Sequence, residues 1–430
     1  MLDPVALRSQ FPALRLQRDG RTPVFLDGPA GTQLPQCVID AMVGYMTKAN
    51  ANHGGVFATS VESDRILDHA HQAMADFLHA RTPEEIVFGQ NMTTLTLHLA
   101  RSISRTLQAH DEVMVTRLDH DANVSPWVQA ARDAGATVRW IDVRPEDCSL
   151  NLDTFHQQLS RRTRLVAVGM ASNAMGTIND VAAITREAKR AGAMVFLDAV
   201  HYAPHGSIDV QALGCDFLAC SAYKFFGPHV GILWGRRELL QRLPVYKLRP
   251  VPDTLPGKWM TGTQNHEGIA GVAAAIAYLG EIGRHSFQQF STRAGSETSD
   301  IAYALGSDYP RSLLQAGMSA IQDYERTLSR RLLAGLAQRP RFTVLGVRDL
   351  NQLHRRVPTI AITDAKLSPR ALAEFLAARH IYCWNGNMYA QEVSERLGLE
   401  ARGGFVRLGM VHYNTPEEID LVLQALDELE

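Results

Sequence analysis

Two strings near the middle of the chain carry an acid and an amine that could act together. They are Met194-Val-Phe-Leu-Asp198-Ala-Val-His201 and Cys220-Ser-Ala-Tyr-Lys224-Phe-Phe-Gly227-Pro228. Each reads as an apolar strand ending in a polar side chain, and in an open α/β sheet ligands are held at such ends. A carboxylate and an amine delivered to one cleft are what pyridoxal phosphate (PLP) requires. The lysine forms the Schiff base, and the acid keeps the pyridine nitrogen protonated. A plain Asp–Lys ion pair between two strand ends fits the same two residues, so the rest of the chain has to decide.

The elements that would position these groups are legible from about residue 85 to 235. Short apolar runs at 85–89, 112–116, 137–141, 165–169, 195–197, 217–219 and 231–234 read as strands. Amphipathic stretches at 93–105, 121–134, 152–159 and 181–191 between them read as helices. Such alternation predicts a mostly parallel sheet covered by helices on both faces. After Gly235 the pattern breaks up around Pro244, Pro250, Pro252, Pro256 and Gly257. Helical stretches at 268–281 and 316–337 follow, then strands at 359–362, 381–384 and 404–408 and helices at 369–378 and 416–429. The expected organisation is an N-terminal segment 1–30 packing back on the C-terminal unit, a large cofactor-binding domain 31–280, and a smaller C-terminal α/β domain 281–430.

Composition narrows the function. With 430 residues the chain is long enough for one large and one smaller domain. A net charge of −2 gives no reason to expect a nucleic-acid or membrane-surface partner. The N-terminus lacks a basic start followed by an apolar stretch, and the weakly polar run at 270–280 is too short to span a bilayer. The five cysteines are scattered, as in reduced cytosolic proteins, so a cytoplasmic location is expected. Neither HExxH nor a P-loop occurs, and no metal is expected.

Further candidates stand just past the strands. Met92 and Thr93 open a helix after Gly89, where free N–H groups and the helix dipole favour a phosphate; an ordinary Thr N-cap accounts for them equally. His120 could lie flat on an aromatic ring or be a loop histidine, and Asp121 reads as a helix cap. Asn173 could donate to a substrate carboxylate or ring hydroxyl, or serve only a turn. Ser221 and Tyr223 offer hydroxyls beside Lys224. Ser221-Ala-Tyr-Lys224 also matches SxxK, in which lysine activates a nucleophilic serine, although SDN and KTG are missing. Thr263 lies in a Gly/Thr loop. Arg407 ends an apolar run, so it either meets an acid or waits for an anionic substrate.

In their order and spacing these residues resemble the class V, fold-type I (aspartate aminotransferase-like) PLP enzymes, most of all the cysteine desulfurase-like branch. The resemblance runs from Phe25-Leu-Asp-Gly-Pro-Ala-Gly31 to Tyr413-Asn-Thr-Pro-Glu-Glu418. It implies that Lys224 carries the cofactor, Asp198 pairs with the pyridine nitrogen and His120 stacks on the ring. His201 stands where the family usually has glutamine, beside the ring oxygen. Thr93, Ser221 and Tyr223 match phosphate positions, and Thr263 matches one that reaches a partner subunit's phosphate, which implies a homodimer with a shared site. Asn173 and Arg407 match positions that hold the substrate carboxylate; Ala30, His53 and the 384–389 loop are expected to face the substrate.

One departure bears on the reaction. Sulfur-transferring members carry a cysteine in a small-domain loop, and here the stretch is Trp384-Asn385-Gly386-Asn387-Met388-Tyr389. Met388 stands about where that cysteine would be, and a thioether cannot form a persulfide. Cys383, at a strand end before the loop, reads better as a buried small hydrophobe. The expected activity is cleavage of a Cβ–X bond in a small amino acid without a persulfide cysteine. Class V transamination and epimerisation start with the same loss of the Cα proton and stay open, and an SxxK hydrolase using Ser221 and Lys224 is the distant alternative.

Overall fold

The computed structural model describes residues 2–290 and 309–429, without the side chains of 287–290. Seven strands form the main sheet: β1 (Ile86–Gly89), β2 (Glu112–Thr116), β3 (Thr137–Ile141), β4 (Thr163–Gly169), β5 (Met194–Asp198), β6 (Phe217–Ser221) and β7 (Gly231–Gly235). Their order across the sheet is β1-β7-β6-β5-β4-β2-β3. All neighbours pair in parallel except β7, which runs antiparallel to both β1 and β6. β6 and β7 are consecutive and joined by a short link, which an antiparallel pair allows and a parallel pair does not.

The central strands are apolar on both faces: Val195, Phe196 and Leu197 of β5 and Phe217, Leu218 and Ala219 of β6 are fully buried. That is the signature of a sheet covered on both sides. One face packs under the helix Met92–Ser104 and the buried Trp127, and the other joins a core with Met74, Phe225 and Leu279. Asp198 and Ser221 are the last residues of adjacent strands, and the expected α/β architecture is present.

The smaller sheet has four strands: β8 (Phe342–Leu345), β9 (Thr359–Asp364), β10 (Trp384–Gly386) and β11 (Phe405–Gly409), in the order β8-β9-β11-β10, all antiparallel. Its core packs on the helices Arg311–Ala337 and Pro416–Asp427 through Leu328, Leu332, Ile419 and Val422.

Several local expectations change. The helix expected at 121–134 is a 3-10 turn, Asp121–Asn123, followed by a separate helix Ser125–Ala134, with Val124 between them in a conformation neither helix uses. The run 381–384 is not one strand. Ile381–Tyr382 pairs in parallel with Val24–Phe25, whereas Trp384–Gly386 pairs with β11, so Cys383 stands at the switch between sheets. The helix expected at 268–281 extends over His266–Phe290 and carries the chain past residue 281 without a break.

The N-terminal segment meets both units. Val24–Phe25 joins the small domain, and Arg8 pairs with Glu418 at 2.8 Å. Phe11 packs edge-on against Phe226 and Tyr278 of the large unit as well as Tyr413.

Candidate active site

The carboxyl ends of β1, β2, β4, β5 and β6 converge on one cavity of about 480 Å³, closed from the other side by the small domain. Its lining includes Ala30, Met92, Thr93, His120, Asn173, Asp198, His201, Ser221, Tyr223, Lys224 and Arg407, each expected from the sequence. His53 and Thr263 are not in the cleft of their own chain. His53 is exposed 3.9 Å from Asp64, and Thr263 is exposed in the loop before the helix His266–Phe290.

Asp198 and Lys224 share the cavity without forming an ion pair among the described residues. The Lys224 Nζ donates instead to the carbonyl of Pro29 and lies 4.8 Å from the centre of the Tyr223 ring. The segment that supplies this carbonyl is fastened alongside: Thr32 donates from N–H to the Tyr223 carbonyl at 3.0 Å, and its Oγ1 accepts from Phe226 N–H at 2.9 Å. Burial, with help from Arg407 and against Asp198, lowers the Lys224 pKa to about 7. Burial raises that of Asp198 to about 6, opposed by the Val200 N–H (2.8 Å) and by Lys224. The amine is therefore available as a neutral nucleophile near neutrality, while the acid is mostly ionised there.

The histidines are held by complementary bonds. His120 Nδ1 accepts from the Ala122 N–H at 3.0 Å, so its proton sits on Nε2, and burial lowers its pKa to about 4. His201 is buried at the end of β5, its Nε2 3.0 Å from the Thr359 Oγ1 of the small domain.

At the anion end, Asn91 caps the helix Met92–Ser104 by accepting from Thr94 N–H at 2.8 Å, so the cap is this asparagine and not a threonine. The Met92 N–H points to Ser221 Oγ at 3.4 Å, with Thr93 beside it. Arg407 is 5 % exposed, donates one Nη1–H to the Asn173 carbonyl at 2.9 Å, and keeps a buried Nε with no partner. Burial lowers its pKa to about 10, partly offset by Asp27. Asn173 donates its side-chain amide to the Met388 carbonyl at 2.8 Å, while its buried Oδ1 is unpartnered. An amide, an arginine and a helix N-terminus with unspent bonding capacity describe a site built for two anionic groups.

Sequence reasoning did not single out Asp119. It is buried, accepts from Asn123 Nδ2 and Gly169 N–H at 2.8 Å each, and keeps Oδ1 unpartnered at the cavity wall. Burial and the nearby Asp198 raise its pKa to about 7. The available signal was its place two residues before Asp121 at a strand end, but an acid in a polar loop has no local pattern that reports burial.

A lysine with a lowered pKa, an acid at an adjacent strand end, a histidine beside them and a phosphate-ready helix end could hold PLP in the fold-type I manner, and the unspent polar atoms fit that group. The chain belongs to the aminotransferase class-V family, whose model matches residues 24–300 and 287–422. It is thus a PLP-dependent enzyme. It is similar to an aminotransferase-like protein, FGM3, of Gibberella zeae (31 % identical, covering 98 % of this chain and 97 % of the relative). A probable cysteine desulfurase of Streptomyces coelicolor is 30 % identical over 100 % of this chain and 97 % of its own. Among solved structures, an apo cysteine desulfurase from Thermococcus onnurineus NA1 superposes with a TM-score of 0.84 at 25 % identity, covering 100 % of this chain and 98 % of the other.

Proposed function

We propose that the enzyme cleaves a Cβ–X bond in a small amino acid without a persulfide cysteine. The observation that carries this reading is the state of the one cysteine near the catalytic loop. Cys383 is absent from the cavity lining and packs against the small-domain core. Burial, with Asp27 adding to it, raises its pKa to about 12, which disfavours the thiolate. Met388 lies in the lining instead, with its carbonyl tied to Asn173.

The roles of the side chains follow from position. Arg407 binds the substrate carboxylate through its spare Nε. The Lys224 amine would take the Cα proton, since an amine with a pKa near 7 can both accept and return a proton at neutral pH. Asp198 would pair with the pyridine nitrogen, and His120 would stack on the ring. The bound cofactor supplies an electron sink for the bond broken at Cα. Trp384 and Tyr389 wall the mouth of the cavity with aromatic surface and limit the side chains that enter.

The same reading includes a homodimer with Thr263 and His53 serving the partner's cleft. Val43, Met46, Val56, Phe57 and Val61, on consecutive elements around His53, expose apolar surface that a second copy would cover. Sedimentation should give a dimer, and an active monomer would refute it.

The decisive experiment mixes the purified enzyme with a panel of amino acids and follows the cofactor spectrum beside the products. Release of the Cβ substituent together with a keto acid and ammonia supports the lyase. Conversion of the cofactor to its amine form supports transamination, and loss of optical activity alone supports epimerisation.

A further inference from the structure

We propose that Thr359 of the small domain fixes the tautomer of His201 and so turns its Nδ1–H into a permanent donor into the cleft. Thr359 is thus a positioning residue. The proposal rests on the PLP reading only for the donor's target, the cofactor's ring oxygen.

Proton accounting carries the argument. Thr359 is fully buried, and the only partner of its hydroxyl among the described residues is His201 Nε2 at 3.0 Å. A hydroxyl has one proton to give, and a buried donor without an acceptor is costly. If Nε2–H donated to Oγ1, the hydroxyl proton would have nowhere to go. The hydroxyl therefore donates to Nε2, and the imidazole proton sits on Nδ1. Nδ1 is not among the buried atoms that lack partners, and His201 lines the cavity, so this N–H opens on the cleft. Burial, then His205, Arg407, Lys224 and His120, keep the ring neutral. A glutamine at this position would present an amide N–H unaided, whereas a histidine has to be told which nitrogen to protonate.

The backbone of Thr359 is anchored well enough to give that instruction. Its N–H donates to Val357 O at 2.8 Å, and Val357 N–H donates to Gly176 O at 2.9 Å in the large domain. The buried guanidinium of Arg356 donates to the carbonyls of Thr359 and Val347, with Met175 O at 3.4 Å. Gly176, at φ +76°, lets the two chains meet: a Cβ there would collide with the Thr359 carbonyl oxygen.

The test uses cofactor-free protein labelled with ¹⁵N-histidine and long-range ¹H–¹⁵N correlation spectra, with the His201 signals identified by their loss in His201→Gln. Wild type should carry the proton on Nδ1. Thr359→Ser should keep it there, and Thr359→Val should move it to Nε2 or average the two forms. A wild-type spectrum with the proton on Nε2 overturns the proposal whether or not the valine variant folds, as does a valine variant indistinguishable from wild type. After loading with PLP, Thr359→Val should shift the absorption maximum and Thr359→Ser should not. An unchanged maximum would remove Thr359 from the chemistry of the cleft. Failure of all variants and wild type to take up PLP would sink the cofactor site and leave the tautomer result standing.

Discussion

The imidazole of His120 lies stacked on the phenol ring of Tyr389, with centroids 5.5 Å apart and planes 15° from parallel. One face of His120 is therefore spent on the small-domain loop, leaving the other for a flat ligand. The loop is tied down on both sides of the contact: Asp121 N–H donates to Tyr389 O at 2.7 Å, and Asn173 holds Met388 O. Met388 and Tyr389 both adopt φ 57°, a left-handed conformation that costs a residue with a Cβ about 1–2 kcal/mol. It persists because the carbonyls it aims are both bonded to the large domain.

Borohydride reduction of the loaded enzyme followed by peptide mapping should place a pyridoxyl group on Lys224. A label elsewhere would remove the lysine from its role. The same digest separates the SxxK alternative, in which an acylating reagent would mark Ser221.

Asp198→Asn should retain PLP yet lose on the order of 10²-fold or more in turnover, because a neutral amide cannot hold the pyridine nitrogen protonated. Turnover at the wild-type rate would make Asp198 structural.

The lowered pKa of Lys224 has two readable consequences. Capture of added PLP by cofactor-free protein should speed up about tenfold per pH unit below pH 7 and level off above it. A lysine at the ordinary value of 10.5 would keep gaining rate up to that pH. Between about 7 and 10.5 the folded group is neutral while the unfolded one is still charged. The unfolded state then binds more protons, so this group's contribution to stability rises with pH across that window. Denaturant titrations of wild type and Lys224→Met over that range would check the sign.

Cys383→Ser should leave the main activity within about twofold, since the thiol is off the cavity and its exchange for a hydroxyl is local. Mass spectrometry after incubation with cysteine should find no sulfane sulfur on the protein. A mass increment on Cys383 together with collapse of turnover in the serine variant would return the enzyme to the sulfur-transfer group.

The residues at the ends of the parallel strands were legible because the period of the apolar runs says where a strand stops, and polar side chains at those stops are few. That logic located His120, Asn173, Asp198, Ser221 and Lys224 in one cavity. It did not reach contacts with no local pattern. Thr359 meets His201 across 158 residues of sequence, and nothing around either residue announces the other. The break at Cys383 was equally invisible, since Ile381-Tyr-Cys-Trp384 is apolar throughout and only the partners of each half, Val24–Phe25 and β11, divide it. The reversed direction of β7 depends on the link after β6, where apolar runs carry no sense of direction.

The division of the cleft between two sheets also sets the order in which its parts are synthesised. A nascent chain finished through residue 350 already contains Asp198, Ser221, Lys224 and His120, all in or just past strands of the large sheet. It lacks Arg407 of β11 and Thr359 of β9. Such a fragment has the lysine but not the arginine that lines the finished cavity. The arginine proposed to seat a substrate carboxylate thus follows the lysine far along the chain and comes from a different sheet.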